Sequence, residues 1–226
     1  RSLMSARLSN LFAALVFLSM IAALGAVFLY VPTERTMGLV QRIFYFHVPA
    51  AISAFLAFFI VFVASIQYLR TQEMKWDRLA LSAAELGVLF GLIVLITGPI
   101  WARPIWGVYW RWEPRLTSML ILFSMYVAYL MVRSYGTSSA RTPRLASVLG
   151  ILAFVNVPLV YYSVNLWAAE QQLHPQKIAL EPPMKYTLYI CYAAFLLFFL
   201  FLLQRRLELE KTADALTDLQ QQLSDD

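Results

Sequence analysis

Apolar residues in this chain come in blocks of about twenty, the length at which a helix crosses a hydrocarbon layer roughly 30 Å thick. Six blocks stand out, near residues 9–31, 48–69, 79–98, 116–133, 144–166 and 185–204. Each is predicted to be a membrane-spanning helix, because a bilayer offers backbone polar groups no partner outside the segment itself. Composition agrees. Of 226 residues, 61% are hydrophobic and 14% charged, against about 45–50% and 25% in soluble domains. The expected fold class is an all-α integral membrane protein of six transmembrane helices. Residues 1–204 read as one six-span domain, with an outer loop at 99–115. Residues 205–226 read as a separate tail. Leu209, Ala213, Leu216, Leu219 and Leu223 recur there at helical spacing among acids and glutamines, the pattern of an amphipathic helix.

Charge supplies a sidedness. Six spans put both termini on one side. That side holds Arg1, Arg7, Arg70, Lys75, Arg78, Arg133, Arg141, Arg144, Arg205, Arg206 and Lys211, eleven of the eighteen basic residues. The other side holds Arg35, Arg42, Arg103, Arg111, Arg115, Lys177 and Lys185. The positive-inside rule makes both termini, and the C-terminal helix, cytoplasmic. The net charge of +5 is spread along span ends, so it gives no nucleic-acid footprint. The apolar run from Leu11 to Val31 is too long for a signal-peptide core and is followed by no evident small-residue cleavage site, so it reads as the first span. The missing start methionine suggests that the numbering begins inside the native chain. Cys191 is the one cysteine. It excludes an internal disulfide and a C-x-x-C-H haem attachment, and reads as a small core residue.

The sidedness sorts the unusual residues. Trp101, Trp106, Trp110, Trp112 and Trp167 all fall outside, as do the two histidines, His47 at the start of span two and His174 between spans five and six. A proline follows each histidine, Pro49 and Pro175, and is expected to push it toward extended backbone. "TGP" at 97–99 is expected to stop span three, and Pro158 to kink span five. Glu85, near the inner end of span three, lies within reach of interfacial water and is not placed in the outer site.

"WGVYWRWEPRLT", residues 106–117, is richer than an interfacial aromatic belt requires. If it is helical, Trp106, Tyr109, Trp110 and Glu113 share one face, with Arg111 and Arg115 on another. Indole faces suit a wide planar apolar ligand, and arginines pair with carboxylates through two parallel hydrogen bonds. A haem has this shape, with two propionates and an iron that accepts imidazole nitrogen. Neutral imidazole is available near pH 7.

These residues carry a resemblance. "TGPIWARPIWGVYWRWEPRLTSMLILF" resembles the tryptophan-rich signature of the haem-handling membrane proteins, and among them the haem exporter protein C family of the cytochrome c maturation system. "RIFYFHVPAA" around His47 and "VNVPLVYYSVNLW" in span five are similar to further motifs of that family, and His174 stands where it has its second outer-loop histidine. The family pattern has aspartate where Glu113 stands, tryptophan where Tyr109 stands, and a small residue at Pro114. The resemblance covers roughly residues 10–205.

The resemblance implies a bacterial inner-membrane, multi-pass protein that holds a non-covalent b-type haem on its periplasmic face. His47 and His174 would be the axial ligands of the iron. Trp106, Tyr109, Trp110 and Trp112 would form the platform, with Trp101 in it or in the aromatic belt. Arg103, Arg111 and Arg115 would meet propionates or a partner, or pair with Glu113, which would fix the loop or meet the partner. The implied partners are a periplasmic haem chaperone, ATP-binding-cassette subunits and a small membrane subunit. The chain would not itself be an enzyme; it has no P-loop pattern. Other classes remain open on the residues alone. A polytopic transporter needs polar groups at midmembrane depth, where only Glu85 and Asn156 stand out. An electron-transfer cytochrome b places its histidines inside the bundle. A structural subunit would use its tryptophans only as anchors.

Overall fold

A computed structural model describes residues 3–136, 141–166 and 180–225. Seven helices carry these residues: α1 (Leu3–Gly25), α2 (Phe44–Thr71), α3 (Met74–Trp106), α4 (Pro114–Tyr135), α5 (Arg141–Phe154), α6 (Asn156–Leu166) and α7 (Pro182–Asp225). A π-helical turn, Ala26–Tyr30, extends α1, and a 3-10 turn, Leu39–Ile43, leads into α2. Six stretches are long and apolar enough to cross a membrane: Arg7–Tyr30, Leu39–Thr71, Met74–Trp106, Pro114–Tyr135, Arg141–Ser163 and Pro182–Ala213. α5 and α6 together make the fifth.

α2 and α3 form the centre of the bundle. Ala50, Ala54, Ala57 and Ala64 of α2 and Ala80, Ala83 and Ala84 of α3 are buried. Small residues of this kind let two backbones approach closely where lipid supplies no hydrophobic drive. Gly87 on α3 has no alternative, since a Cβ there would collide with the Phe58 ring. Phe58 stacks on Tyr126 of α4, with ring centroids 3.9 Å apart. α7 packs on α1, α2 and α3.

Ion pairs gather at the end where α1 begins. Asp77 and Arg133 form a buried bidentate pair at 2.5 and 2.7 Å. Glu85 is bound by both Arg206 Nε and Nη2, the latter at 2.7 Å, and Arg206 also pairs with Glu210. Arg205 bonds Ser9 of α1.

Several local expectations change. α3 runs through Pro99 and Pro104 to Trp106, so "TGP" does not stop span three. In a membrane a proline's freed carbonyl is tolerated where neighbours re-satisfy the backbone. His47 is helical, inside α2; Val48, not His47, directly precedes Pro49, and Pro49 lies inside α2 like the prolines of α3. Residues 107–113 are not helical, so the four residues drawn on one helical face do not share one. Span five breaks at Val155, three residues before Pro158, as a proline that removes the bond to Phe154 requires. α7 continues without a break from the sixth span into the tail.

Candidate functional site

The end of the bundle remote from those ion pairs holds a cavity of about 510 Å³, within the range of small-molecule and cofactor sites. Its walls come from α2 (His47, Val48, Ile52, Phe55), α3 (Val94, Gly98, Trp101, Trp106), the 108–111 loop, the start of α4 (Arg115, Leu116, Met119) and α6 (Val160, Tyr161). Most of this lining is apolar. The polar exceptions are the imidazole, the indole edges, Tyr109, Tyr161 and two guanidinium groups.

His47 is oriented by α3. Its Nδ1 lies 2.8 Å from Thr97 Oγ1. The Thr97 hydroxyl hydrogen is donated to the Ile93 carbonyl at 2.7 Å, so the oxygen accepts from an Nδ1–H. This tautomer puts the ring's basic lone pair on Nε2. Metal-binding histidines are held in the same way, the second ring nitrogen donating to a neighbouring oxygen. Gly98 gives the ring room; a Cβ there would lie 3.4 Å from His47 Cε1. Trp101 meets the imidazole edge-on with centroids 5.9 Å apart, and Phe44 and Trp106 at 6.0 and 6.5 Å.

The loop is set by its ends. Gly107 caps α3 in the left-handed region at φ 74°, where a side chain is strained. The Arg103 guanidinium donates to the Gly107 carbonyl at 2.5 Å and lies over the Tyr109 ring. Pro114 opens α4 at the position that tolerates proline best. Between these stops the chain brings Tyr109, Trp110 and Arg111 to the cavity. Trp112 turns out: it is 76% exposed and touches Trp110 edge-on at 5.7 Å.

Of the predicted site residues, His47, Trp101, Trp106, Tyr109, Trp110, Arg111 and Arg115 line one cavity. Arg103, Trp112 and Glu113 do not. Arg103 clamps the loop, and Glu113 is buried at the start of α4, where its charge acts on Arg115. His174 and Trp167 lie outside the described residues. Thr97, Gly98 and Met37 were not singled out from sequence. Met37 enters the wall because Glu34 folds the 34–38 turn. The Glu34 carboxylate accepts from the Met37 N–H and from the Thr36 N–H at 2.8 Å, and these bonds hold it below the usual carboxylate range. A second hollow of about 230 Å³, lined by Glu34, Arg35, Gln41 and Glu181, shares Met37, Phe44, Trp101 and Leu180 with the cavity.

The donor set can be tested against a haem-like ligand. The indole N–H groups of Trp101 and Trp110 are buried and have no acceptor among the described residues. Buried donors are rarely left so, and a polar ligand edge would satisfy them. Among the described residues no cluster of three histidine, cysteine or acidic side chains could hold a bare metal ion. One oriented imidazole in an apolar, indole-lined cavity fits a metal that arrives inside a planar macrocycle.

Comparison with known proteins gives the family. The family model described as "Heme exporter protein C" matches residues 2–221. The chain belongs to this family. "Heme exporter protein C" of Paracoccus denitrificans is 35% identical over 186 residues, 79% of this chain and 76% of that protein. Its counterpart in Escherichia coli K12 is 34% identical over 169 residues, 71% and 67% of the two chains. A "Putative cytochrome c biosynthesis ccmC-like mitochondrial protein" of Marchantia polymorpha is 35% identical over 136 residues. The chain spans 57% of the Marchantia relative and 76% of the Paracoccus one. As a heme exporter C family member with six spanning helices, it is a multi-pass inner-membrane protein.

Proposed function

We propose that this protein binds haem in the cavity beside His47 and presents it to a haem chaperone for cytochrome c maturation. The observation that carries the reading is His47, hydrogen-bonded to Thr97 and lining a pocket walled by three tryptophans. Haem is non-covalent cargo here. Trp101, Trp106, Trp110 and Tyr109 flank its macrocycle, and Arg111 and Arg115 take its carboxylates. His47 would be one ligand of the iron and His174, which the sequence assigns to the same outer side, would be the other. The bound iron supplies the Lewis-acid centre that accepts nitrogen ligands.

The protein's own contribution is to orient, to exclude water and to hold charge. Thr97 fixes the imidazole tautomer. The apolar lower wall of Val94, Leu116, Met119 and Val160 keeps the macrocycle dry. The exposed outer loop around Trp112 is the surface the chaperone meets. This face is periplasmic and both termini are cytoplasmic, in keeping with the eleven-to-seven bias of basic residues. The family's name and its relatives' link to cytochrome c biosynthesis support a delivery role, with ATP-binding-cassette subunits and a small membrane subunit as partners and any ATP hydrolysis done by them.

Absorption spectra of the purified protein, oxidised and reduced, test the reading beside His47→Ala and His174→Ala. The expected result is a Soret band in the parent that shifts or is lost in each variant. A parent that takes up no added haem would make the tryptophan loop an interfacial anchor. Unchanged spectra in both variants would remove the paired-histidine model.

A further inference from the structure

α2 and α5 pack side by side, and they approach closely. A Cβ on Gly150 of α5 would come within 2.9 Å of Ser65 Oγ on α2. Phe154 stacks on Phe62 at 4.5 Å and meets Phe59 at 5.9 Å. At the other end of the contact, Arg144 Nε donates to Gln72 Oε1 at 3.0 Å. Steps of three and four residues keep to one face of a helix. They give one row on α2, Phe59, Phe62, Ile66 and Arg70, and a second on α5 and the turn after it, Arg144, Val148, Ile151 and Val155. The ring contacts put both rows on the same side of the helix pair. Phe59, Val148 and Val155 are exposed, and Phe62, Ile66 and Ile151 are half-buried. The rows therefore wall a shallow apolar groove that opens to the membrane.

Each row ends in an arginine at the same end of its span. From Phe59 to Arg70 is about 16 Å at 1.5 Å per residue, close to one leaflet of a hydrocarbon layer roughly 30 Å thick. Charge selects what can lie there. Arg70 has no hydrogen bond or ion pair among the described residues, and Arg144 engages only its Nε, with Gln72. Gln72 is itself held: it caps α2 in the left-handed region at φ 56°, and its Nε2 donates to the Tyr68 and Leu69 carbonyls at 3.2 and 3.1 Å. The acids at this end are taken, Glu73 by Lys75 and Asp77 by Arg133, and no acid occurs between Glu113 and Glu170. A groove as long as an acyl chain, with two cations at headgroup depth, matches a lipid whose head carries net negative charge. We propose that the α2–α5 groove binds an anionic phospholipid, its phosphate at Arg70 and Arg144 and an acyl chain along Ile66, Ile151 and Phe62. The site stands apart from the cavity and does not depend on haem binding.

The test is native mass spectrometry of the full chain in an uncharged detergent, after incubation with phosphatidylglycerol or phosphatidylcholine of the same acyl chains. The expected result is a retained phosphatidylglycerol, preferred over phosphatidylcholine by about tenfold or more. Arg70→Gln/Arg144→Gln should lose most of that preference, and Arg70→Lys/Arg144→Lys should keep more of it. Arg7→Gln/Lys211→Gln removes as much charge away from the groove and should leave the preference unchanged. Equal retention of both lipids by the parent overturns the proposal, as does an unchanged preference in the groove glutamine variant. Equal loss in Arg7→Gln/Lys211→Gln overturns it too, because the lipid would then follow net charge alone. Displacement of the lipid by glycerol phosphate would assign the arginines to a soluble anion, and a parent dimer that only the groove variants dissociate would assign the face to a second copy. Either result also overturns it. Circular dichroism checks that each variant keeps the parent's helicity. Should the groove glutamine pair lose it, Arg70→Gln and Arg144→Gln singly must each lower the preference, or the proposal falls.

Discussion

The two ends of the bundle place their charged groups differently. At the α1 end, charges are matched: Asp77 with Arg133, Glu85 with Arg206, Arg205 with Glu208. At the cavity end, polar groups face inward on a hollow. Trp101 and Trp110 keep buried donors without acceptors among the described residues, and Arg111 and Arg115 line the wall. Satisfied pairs fix helices against one another. Unsatisfied donors around a cavity are tolerable in a protein whose ligand completes them. On the proposed function, the difference separates the part of the molecule that holds shape from the part that would take cargo.

The sharpest way to break this division is at the paired end. Asp77→Ala leaves the Arg133 guanidinium buried and uncompensated, a change that typically costs about 3–5 kcal/mol. Thermal unfolding in detergent should show the loss. The double variant Asp77→Ala/Arg133→Leu should recover most of it, since an apolar replacement of a buried pair is often close to neutral. Haem affinity of the folded fraction should stay within about twofold of the parent; a large drop would show that the two ends are not separable.

At the other end, Thr97→Val keeps the side-chain shape and removes the acceptor for His47 Nδ1–H. Outer partners of metal-binding histidines are typically worth about 10–100-fold in affinity. Haem titration should show a loss of that order, Thr97→Ser should restore most of it, and stability should change little. A smaller effect distinguishes tryptophans that sequence alone grouped together. Trp106→Ala should weaken haem retention by a few-fold to about tenfold, the scale of one aromatic contact. Trp112→Ala should leave retention unchanged and affect only transfer to a chaperone. Equal loss in both would move the haem contact onto the exposed loop.

The six spans were legible because each needs about twenty apolar residues, and no other feature produces such runs. Much of the candidate cavity's lining was legible too: His47, Trp101, Trp106, Tyr109, Trp110, Arg111 and Arg115, singled out from sequence, line it. Other features were not. The path of α3 through Pro99 depends on whether neighbours absorb a freed carbonyl, which a proline's identity does not reveal. Thr97 looked like part of a helix stop, and its partnership with His47 spans fifty residues of sequence. Trp112 and Trp110 are alike as residues. Gly107 and Pro114, the two stops that set the loop, decide which of them turns inward. The composition changes at Arg205, and α7 runs on across that change.

α3 carries Asp77, Glu85, Thr97, Trp101 and Trp106 on one continuous helix. It is therefore one wall that runs from the ion-paired end to the cavity end. From Asp77 to Thr97 is about 30 Å at 1.5 Å per residue. A tilt of about 5° around the Asp77 anchorage would carry Thr97 sideways by about 2.6 Å, enough to part its hydroxyl from the imidazole. The packing of α3 along α2 holds the helix against such a tilt and keeps the Thr97–His47 contact in register.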